Sequence, residues 1–408
     1  WDGTLKFWDV LKGNEIVTLY AINTNDFLIK TPDNYYFATK NAVSEIGFTF
    51  GMKFYPFEQF DLKYNRPDLV LRQLGNTSEE LLAAYYRAYQ KRIKKLGFTE
   101  EMLSADFHVP EITIANQEAI EPVTDKRNLV LKISARDTKY PLDRINVWIN
   151  DVALFGRNGL DRRSSQSQSV TEDIDIQLAA GINKIQVSAL NLRGAESLKE
   201  IVEVNYNAPQ VKPDLYLVSM GVSKYRDSRF DLNFASKDAN DISGLFRGDT
   251  SLFRNIYIKT LTDDQVTISR LDEMRSFVQK AGRDDVVMLF IAGHGLLDVS
   301  LDYYFGTYDM DFNNPAGKGI VYDDIEELFD GLTALKKILF MDTCFSGEVD
   351  KDEVELAQAT NTEFGNVTFR SGRTGVRMKE AFGSENTTEI MKELFTDIRK
   401  GTGSTVIS

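Results

Sequence analysis

Apolar and polar positions alternate from the start of the chain. Thr4-Leu5-Lys6-Phe7 runs into Trp8-Asp9 as one strand, and Gly13-Asn14 offers a tight turn before Ile16-Val17-Thr18-Leu19. Phe27-Leu28-Ile29, a turn at Pro32-Asp33-Asn34 and Tyr35-Tyr36-Phe37-Ala38 continue the pattern, so residues 1–75 read as β-rich. The period then changes. Leu81, Leu82, Tyr85, Tyr89, Ile93 and Leu96 share one helical stripe, which predicts a helix over 77–96. Thr77 with Glu80 three residues on supplies a capping box, and Gly97 is placed to end the helix. It reads as a structural part of a connector over 76–108, with no chemistry.

Alternation returns over 109–208. Leu129–Ile133, Ile145–Ile149, Ile174–Leu178 and Ile185–Ala189 are separated by Pro141, Asn150-Asp151 and Gly181, which suggests a β-sandwich. Arg162-Arg163 and Ser164–Gln168 read as an exposed, protease-sensitive loop. From 213 to 408 strands and helices alternate. Strands fall at Leu215–Val222, Ile256–Ile258, Val286–Ile291 and Ile338–Met341, and helices at Asp238–Phe246, Ile268–Ala281 and Asp324–Phe329. Nearly continuous apolar strands between helices imply a mainly parallel sheet covered on both faces. The fold class expected is therefore multidomain: an all-β start, a β-sandwich, then an α/β domain.

Composition narrows the function. The chain has 408 residues, 42% hydrophobic and 27% charged, with a net charge of -13. That is an ordinary globular balance, and no basic face suggests nucleic acid as a partner. The densest basic stretch, Lys91 to Lys95, lies on the expected helix as a solvated face. No apolar run is long enough to span a bilayer, so no membrane partner is expected. Trp1–Val10 reads as the middle of a domain and Ser404–Ser408 as a strand cut short, so both ends are expected to be cut points with any targeting segment outside them. The single cysteine, Cys344, excludes an internal disulfide and is compatible with a cytoplasmic location. With only His108 and His294 for histidines, a His-rich metal site is excluded.

The Trp8-Asp9 pair at the end of a strand resembles the close of a WD-repeat propeller blade, which would make residues 1–75 the end of a propeller. Residues 109–208 resemble the immunoglobulin-like modules found beside enzymatic domains, without their cysteine pair. Such modules commonly bind proteins, which implies a protein partner for the β domains.

Reactive side chains follow two of the α/β strands. Val286–Ile291 runs into Ala292-Gly293-His294-Gly295, and Ile338–Met341 into Asp342-Thr343-Cys344-Phe345-Ser346-Gly347. Sites in such sheets lie at the carboxyl ends of strands, so neighbouring strands would bring His294 and Cys344 to one cleft. A thiol needs an imidazole to take its proton, and the same imidazole can protonate a leaving amine. The amides of Gly295 and Cys344 could form an oxyanion hole.

Residues 213–408 resemble the caspase-like cysteine peptidases. A strand ending His-Gly precedes one ending Asp-x-Cys-x-x-Gly, with the histidine about 50 residues before the cysteine as in that family. The resemblance implies a peptidase acting on protein or peptide substrates through Cys344 and His294. True caspases carry Ala-Cys-Arg at the nucleophile and a basic pocket for aspartate. Thr343-Cys344-Phe345-Ser346-Gly347 is closer to metacaspases and their bacterial relatives, where the aspartate two before the cysteine lines an acidic pocket. Asp342 takes that place. Ala235-Ser236-Lys237-Asp238-Ala239 resembles the family's Asn-Asp-Ala motif with Lys237 in place of the asparagine, which implies that Asp238 faces the same pocket. Two carboxylates favour a cationic side chain, hence cleavage after Arg or Lys.

An acidic stretch, Glu348–Glu355, precedes Arg370, Arg373, Arg377 and Lys379, a segment whose family counterpart is often cut and whose basic residues are candidates for self-cleavage. Thr405–Ser408 resembles the family's next core strand, after which another helix and strand are implied; without them the substrate groove is expected to be incomplete. Calcium dependence occurs in some metacaspases, but Asp298, Asp302, Asp309 and Asp311 lack calcium-loop spacing, so no metal or other cofactor is expected. Two other readings are an inert interaction scaffold with a peptidase-like domain and a cysteine hydrolase acting on a non-peptide acyl bond.

Overall fold

A computed structural model describes residues 3–39, 42–43, 47–50, 52–103, 108–209, 211–248, 251–298, 302–343 and 405–407. Cys344, Arg370, Arg373, Arg377 and Lys379 lie outside the described residues.

Strands β1 (Thr4–Asp9), β2 (Asn14–Ala21), β3 (Phe27–Lys30) and β4 (Tyr36–Ala38) form an antiparallel meander in that order. The first turn is held by the Asp9 carboxylate, which accepts the N–H groups of Leu11 and Lys12. A separate hairpin follows, β5 (Gly47–Phe50) with β6 (Lys53–Pro56). From Phe57 the chain is helical, through Asp61–Tyr64 and Pro67–Leu74, which corrects the β reading of this stretch. Pro67 sits in the first helical turn, where its missing N–H costs nothing. Among the described residues no strands close into a propeller ring.

The connecting helix spans Glu79–Lys95 and is capped by Ser78, whose hydroxyl accepts the Leu81 N–H at 3.3 Å. The expected box on Thr77 and Glu80 is thus replaced by the next hydroxyl along. Gly97 ends the helix at φ +76, with its N–H on Lys94 O at 2.9 Å and the Phe98 N–H on Ile93 O at 2.8 Å. This pair of bonds satisfies the last carbonyls. The apolar stripe serves two cores. Leu81, Ala84 and Tyr85 join the core of the α/β unit, while Tyr89 and Ile93 pack with Phe98, Leu103 and Leu190. A short helical turn, Glu100–Leu103, follows.

Two sheets enclose one core over residues 111–206. One holds β7 (Glu111–Ile114), β9 (Asn128–Arg136) and β13 (Ser169–Gln177). The other holds β8 (Val123–Thr124), β10 (Leu142–Ile149), β11 (Val152–Ala153), β12 (Leu160–Asp161), β14 (Gly181–Asn191) and β15 (Glu200–Tyr206). Inward residues such as Leu131, Ile133, Ile145, Val147, Ile176 and Ile185 meet between them. In the loop at Arg162–Gln168, expected to be exposed, Ser164, Ser165, Gln166 and Gln168 are exposed while both arginines are tied down. Arg163 pairs with the buried Asp143 and donates to Leu96 O at 3.0 Å, and Arg162 pairs with Glu172.

Among the described residues the α/β unit is a five-stranded parallel sheet. Its strands are β16 (Leu215–Gly221), β17 (Ile256–Thr262), β18 (Val286–Gly293), β22 (Lys336–Thr343) and β23 (Thr405–Ile407), in the order β17-β16-β18-β22-β23. Helix Ala235–Phe246 covers one face, with Ala235 and Ala239 against Phe290 and Ala292. Met274 and Val278 of helix Leu271–Val278 and Ile325 of helix Tyr322–Glu327 cover the other. Coverage on both sides is why β16 is apolar except for Ser219, whose hydroxyl donates to Ala239 O at 2.7 Å, and β18 is apolar throughout. Between β18 and β22 lies a small antiparallel sheet, β19 (Gly295–Leu297), β20 (Tyr303–Phe305) and β21 (Ile320–Val321). No helix among the described residues is long and apolar enough to cross a membrane.

Candidate active site

Neighbouring strands β18 and β22 end together: Ala292 pairs with Asp342 and Gly293 with Thr343. His294 is the next residue on one strand, and Cys344 the next in sequence on the other.

His294 is buried, 4% exposed. Its backbone N–H donates to the Tyr225 hydroxyl at 3.0 Å, and its carbonyl accepts the Gly306 N–H at 2.8 Å. Its Nε2 lies 2.9 Å from the Phe230 carbonyl. A carbonyl only accepts, so Nε2 carries the proton and Nδ1 is the basic nitrogen of the neutral ring. Aromatic rings wall the imidazole: Tyr225 at 5.2 Å, Phe312 edge-on at 5.6 Å and Phe230 edge-on at 6.5 Å. Phe230 and Phe312 stack on each other at 3.9 Å.

The loop that supplies Tyr225 and Phe230 follows β16 and is fastened by two carboxylates. Asp263 accepts the Ser223 and Lys224 N–H groups, each at 2.8 Å, and the Ser236 hydroxyl at 2.5 Å. Asp231 accepts the Tyr225 N–H at 2.9 Å, and that bond, with Lys224 adding, holds its carboxyl below the usual carboxylate range. Gly293 makes room for the arrangement. Its φ is +154, and a Cβ there would stand 3.0 Å from the Phe305 ring and 3.1 Å from the Tyr225 hydroxyl.

Gly295 opposes Phe305 across the β19–β20 pair. Since Gly306 N–H bonds to His294 O, Gly295 and Phe305 form a non-hydrogen-bonded pair, and the Gly295 amide points away from that ladder. Tyr303 on β20 is buried and its hydroxyl lies 2.5 Å from Thr343 Oγ1. Asp342 is exposed at the end of β22, on the sheet face shared with Phe340. Its register partner Ala292 packs against Ala235 and Ala239, the helix turn that bears the half-buried Asp238. Lys237 pairs with Asp241 along that helix.

The four carboxylates weighed for calcium are engaged separately. Asp298 accepts the Asp302 N–H at 2.8 Å, Asp302 pairs with Lys91 at 2.6 Å, Asp309 with Lys318 at 2.7 Å, and Asp311 accepts the Asn313 N–H at 2.9 Å. Among the described residues no group of three or more His, Cys, Asp or Glu side chains is arranged to hold a metal. His108 lies away from this site, paired at 2.8 Å with the buried Asp137 of the sandwich.

Tyr225, Phe230, Phe312 and Tyr303 escape a reading of motifs. Phe230 acts through a backbone carbonyl, which every residue has. The Tyr303-Tyr304 pair beside an apolar position is the one visible hint, and it does not say which hydroxyl turns inward.

A family model described as a caspase domain matches residues 217–404, somewhat under half of the chain, and supports a cysteine peptidase-like function for that part. No curated protein matches. Among solved structures, protein GSU0716 of Geobacter sulfurreducens is 18% identical at a TM-score of 0.29, over 47% of this chain and 66% of that one. The fibronectin(III)-like modules of Clostridium thermocellum CbhA are 15% identical at 0.20, over 25% of this chain and 48% of that one. A polysaccharide deacetylase of Bacillus cereus is 15% identical at 0.17, over 73% and 79%. The chain thus covers just under two thirds of the first of these proteins and about half of the second, and at these TM-scores none bears on function.

Proposed function

We propose that this protein is a caspase-like cysteine endopeptidase in which Cys344 is the nucleophile and His294 the base. The observation that carries the reading is the pairing of Gly293 with Thr343, which ends two parallel strands side by side, one residue before His294 and one before Cys344. In the first step Nδ1 of His294 takes the thiol proton and the sulfur bonds to the scissile carbonyl carbon. The negative oxygen is received by the amides of Gly295 and Cys344. The protonated imidazole then gives its proton to the departing amine as the C–N bond breaks, leaving a thioester. Water, deprotonated by the same nitrogen, attacks the thioester and restores the thiol. The Phe230 carbonyl holds Nε2 as a donor throughout, so Nδ1 is the nitrogen that takes and returns the proton in both steps.

Asp342 and Asp238 form the acidic end of the pocket in this proposal, and the substrate residue before the cut is Arg or Lys. Their common sheet face and common end support this. The proposed self-cleavage sites are Arg370, Arg373, Arg377 and Lys379, and replacing all four should leave the chain in one piece. The β modules would recruit or gate, and the exposed Leu5, Phe7 and Trp8 of β1 offer apolar surface for a protein partner.

Fluorogenic peptides ending in Arg, Lys or Asp test the proposal. Turnover of the Arg and Lys peptides, absent in Cys344→Ala, is the expected result. Turnover of the Asp peptide alone would overturn the pocket assignment, and turnover that survives Cys344→Ala would overturn the mechanism.

A further inference from the structure

We infer that Tyr303 is a positioning residue of the dyad: its hydroxyl bolts the strand end that leads into Cys344 to the hairpin that leads out of His294. The inference rests on the peptidase reading above and names a residue that the motifs do not.

A closed brace is built into the connectivity. Strands β18 and β22 are zipped to their last pair, Gly293 with Thr343. Among the described residues no ladder joins the two chains beyond that pair. The β18 chain turns through His294 into β19, which pairs with β20, placing Leu297 opposite Tyr303. From β20 the Tyr303 hydroxyl reaches back to Thr343 Oγ1 at 2.5 Å. The circuit from Thr343 through Gly293, His294 and β19 returns to Thr343 through one side-chain bond.

The bond is placed to matter. Tyr303 is 3% exposed and Thr343 6%, so two hydroxyls are shielded from water at this spot. Burying a hydroxyl is unfavourable unless it is bonded, and phenylalanine would fill the same volume without that requirement. The neighbourhood also fixes the ring. Tyr322 meets it edge-on at 6.1 Å, and the preceding residue, Asp302, is held by Lys91 at 2.6 Å and by the bond from its N–H to the Asp298 carboxylate. Loss of the hydroxyl removes this bond between the strand end at Thr343 and the hairpin after His294. The imidazole then shares the thiol proton less well, and the thiolate fraction at neutral pH falls.

Cys344 is the only cysteine in the chain, so alkylation by iodoacetamide reports on it alone and needs no substrate. The rate is measured against pH for the unaltered protein, Tyr303→Phe, Thr343→Val, the double variant and Thr343→Ser. Losing one such bond, worth about 1 kcal/mol, corresponds to roughly a five-fold slower reaction near pH 6.5. At high pH, where every thiol is ionised, the rates should agree. Thr343→Ser should behave as the unaltered protein, and the double variant should be no slower than either single one. In peptide turnover Tyr303→Phe, Thr343→Val and the double variant should lower kcat with KM little changed. Rates slowed equally at all pH values, or effects that add in the double variant, would overturn the inference. So would a lowered thiol midpoint that Tyr303→Phe leaves in place, with the dyad reading intact. A midpoint near the ordinary 8.5 in the unaltered protein would instead overturn the dyad reading and this inference with it.

Discussion

At Gly293 the backbone conformation and the space around it both demand glycine. Gly293→Ala would set a methyl 3.1 Å from the hydroxyl that receives the His294 N–H. The expected cost is about 1–3 kcal/mol of stability, with a loss of peptidase activity larger than Tyr225→Phe alone produces. Chemical denaturation and turnover on the same samples check both parts. At the far end of the sheet, Asp214 chelates Arg254 at 2.9 and 2.8 Å and accepts the Asn255 N–H at 3.1 Å, fixing the start of β16 against β17. The Arg254 bonds hold its carboxyl below the usual 3.8. A carboxyl lowered on folding adds stability above its unfolded value and loses it as pH falls through the folded one. Asp214→Asn should therefore melt a few degrees lower at pH 7, and the gap should begin to narrow as pH falls below 3.8. A gap that stays constant as the pH falls into the acid range would contradict the ion-pair account. Single residues also mark the limit of sequence reading. Ala292-Gly293-His294-Gly295 after an apolar strand exposes the imidazole at once, because a polar ring after such a run has little other reason to be there. The carbonyl of Phe230 and the hydroxyl of Tyr303 reach the site through chain connections that no local pattern encodes.

Elements are legible in proportion to how far their burial dictates composition. β16 and β18 are covered on both faces, so their mostly apolar runs are unambiguous; β16 ends one residue before the expected Val222, and β18 runs two residues past the expected Ile291. The helix expected over Ile268–Ala281 is shorter. A 3-10 turn at Ile268–Arg270 precedes helix Leu271–Val278, since the core requires apolar residues only at Met274 and Val278. Thr77 and Ser78 are chemically alike as caps, and tertiary packing selects the second. Ser78→Ala should therefore cost about 1 kcal/mol and Thr77→Ala close to nothing, read from urea unfolding. The reverse order would restore the capping box that the pattern suggests. The stretch 57–74 reads as β only as a continuation of the alternation seen over 4–38; Pro67 and the spacing of Val70 and Leu74 fit the helix found there.

For the whole molecule, the sandwich meets the α/β unit at the end of the sheet away from His294. Asp284, just before β18, receives Arg127 at 2.5 Å and the Ala180 N–H at 2.8 Å, and Asp330 receives the Arg157 N–H at 3.0 Å. Contact nearer the dyad comes through the connecting helix. Lys91 holds Asp302 on the hairpin after His294, and Lys95 holds Asp323 and the buried Glu326. Lys95→Met would remove the ammonium paired with Glu326, whose side chain is 3% exposed. Removing one partner of such a pair should cost on the order of 3 kcal/mol, while adding Glu326→Leu should recover most of it. A double-mutant cycle in urea measures this, and a single variant as stable as the parent would show that the helix does not grip the α/β unit there. No such contact is visible in the sequence, where 91–95 reads as a solvated basic face: Lys91 and Lys95 reach partners more than two hundred positions away.

The central claim is that Cys344 and His294 act as one nucleophile on peptides with a basic residue at the cut. A peptidyl-arginine reagent carrying a thiol-reactive ketone, followed by intact-mass and fragment analysis, tests it most directly. The account predicts one adduct per chain, on Cys344, formed much faster than with the aspartyl reagent and slowed strongly in His294→Ala. Equal labelling by both reagents, or labelling indifferent to His294, would contradict it.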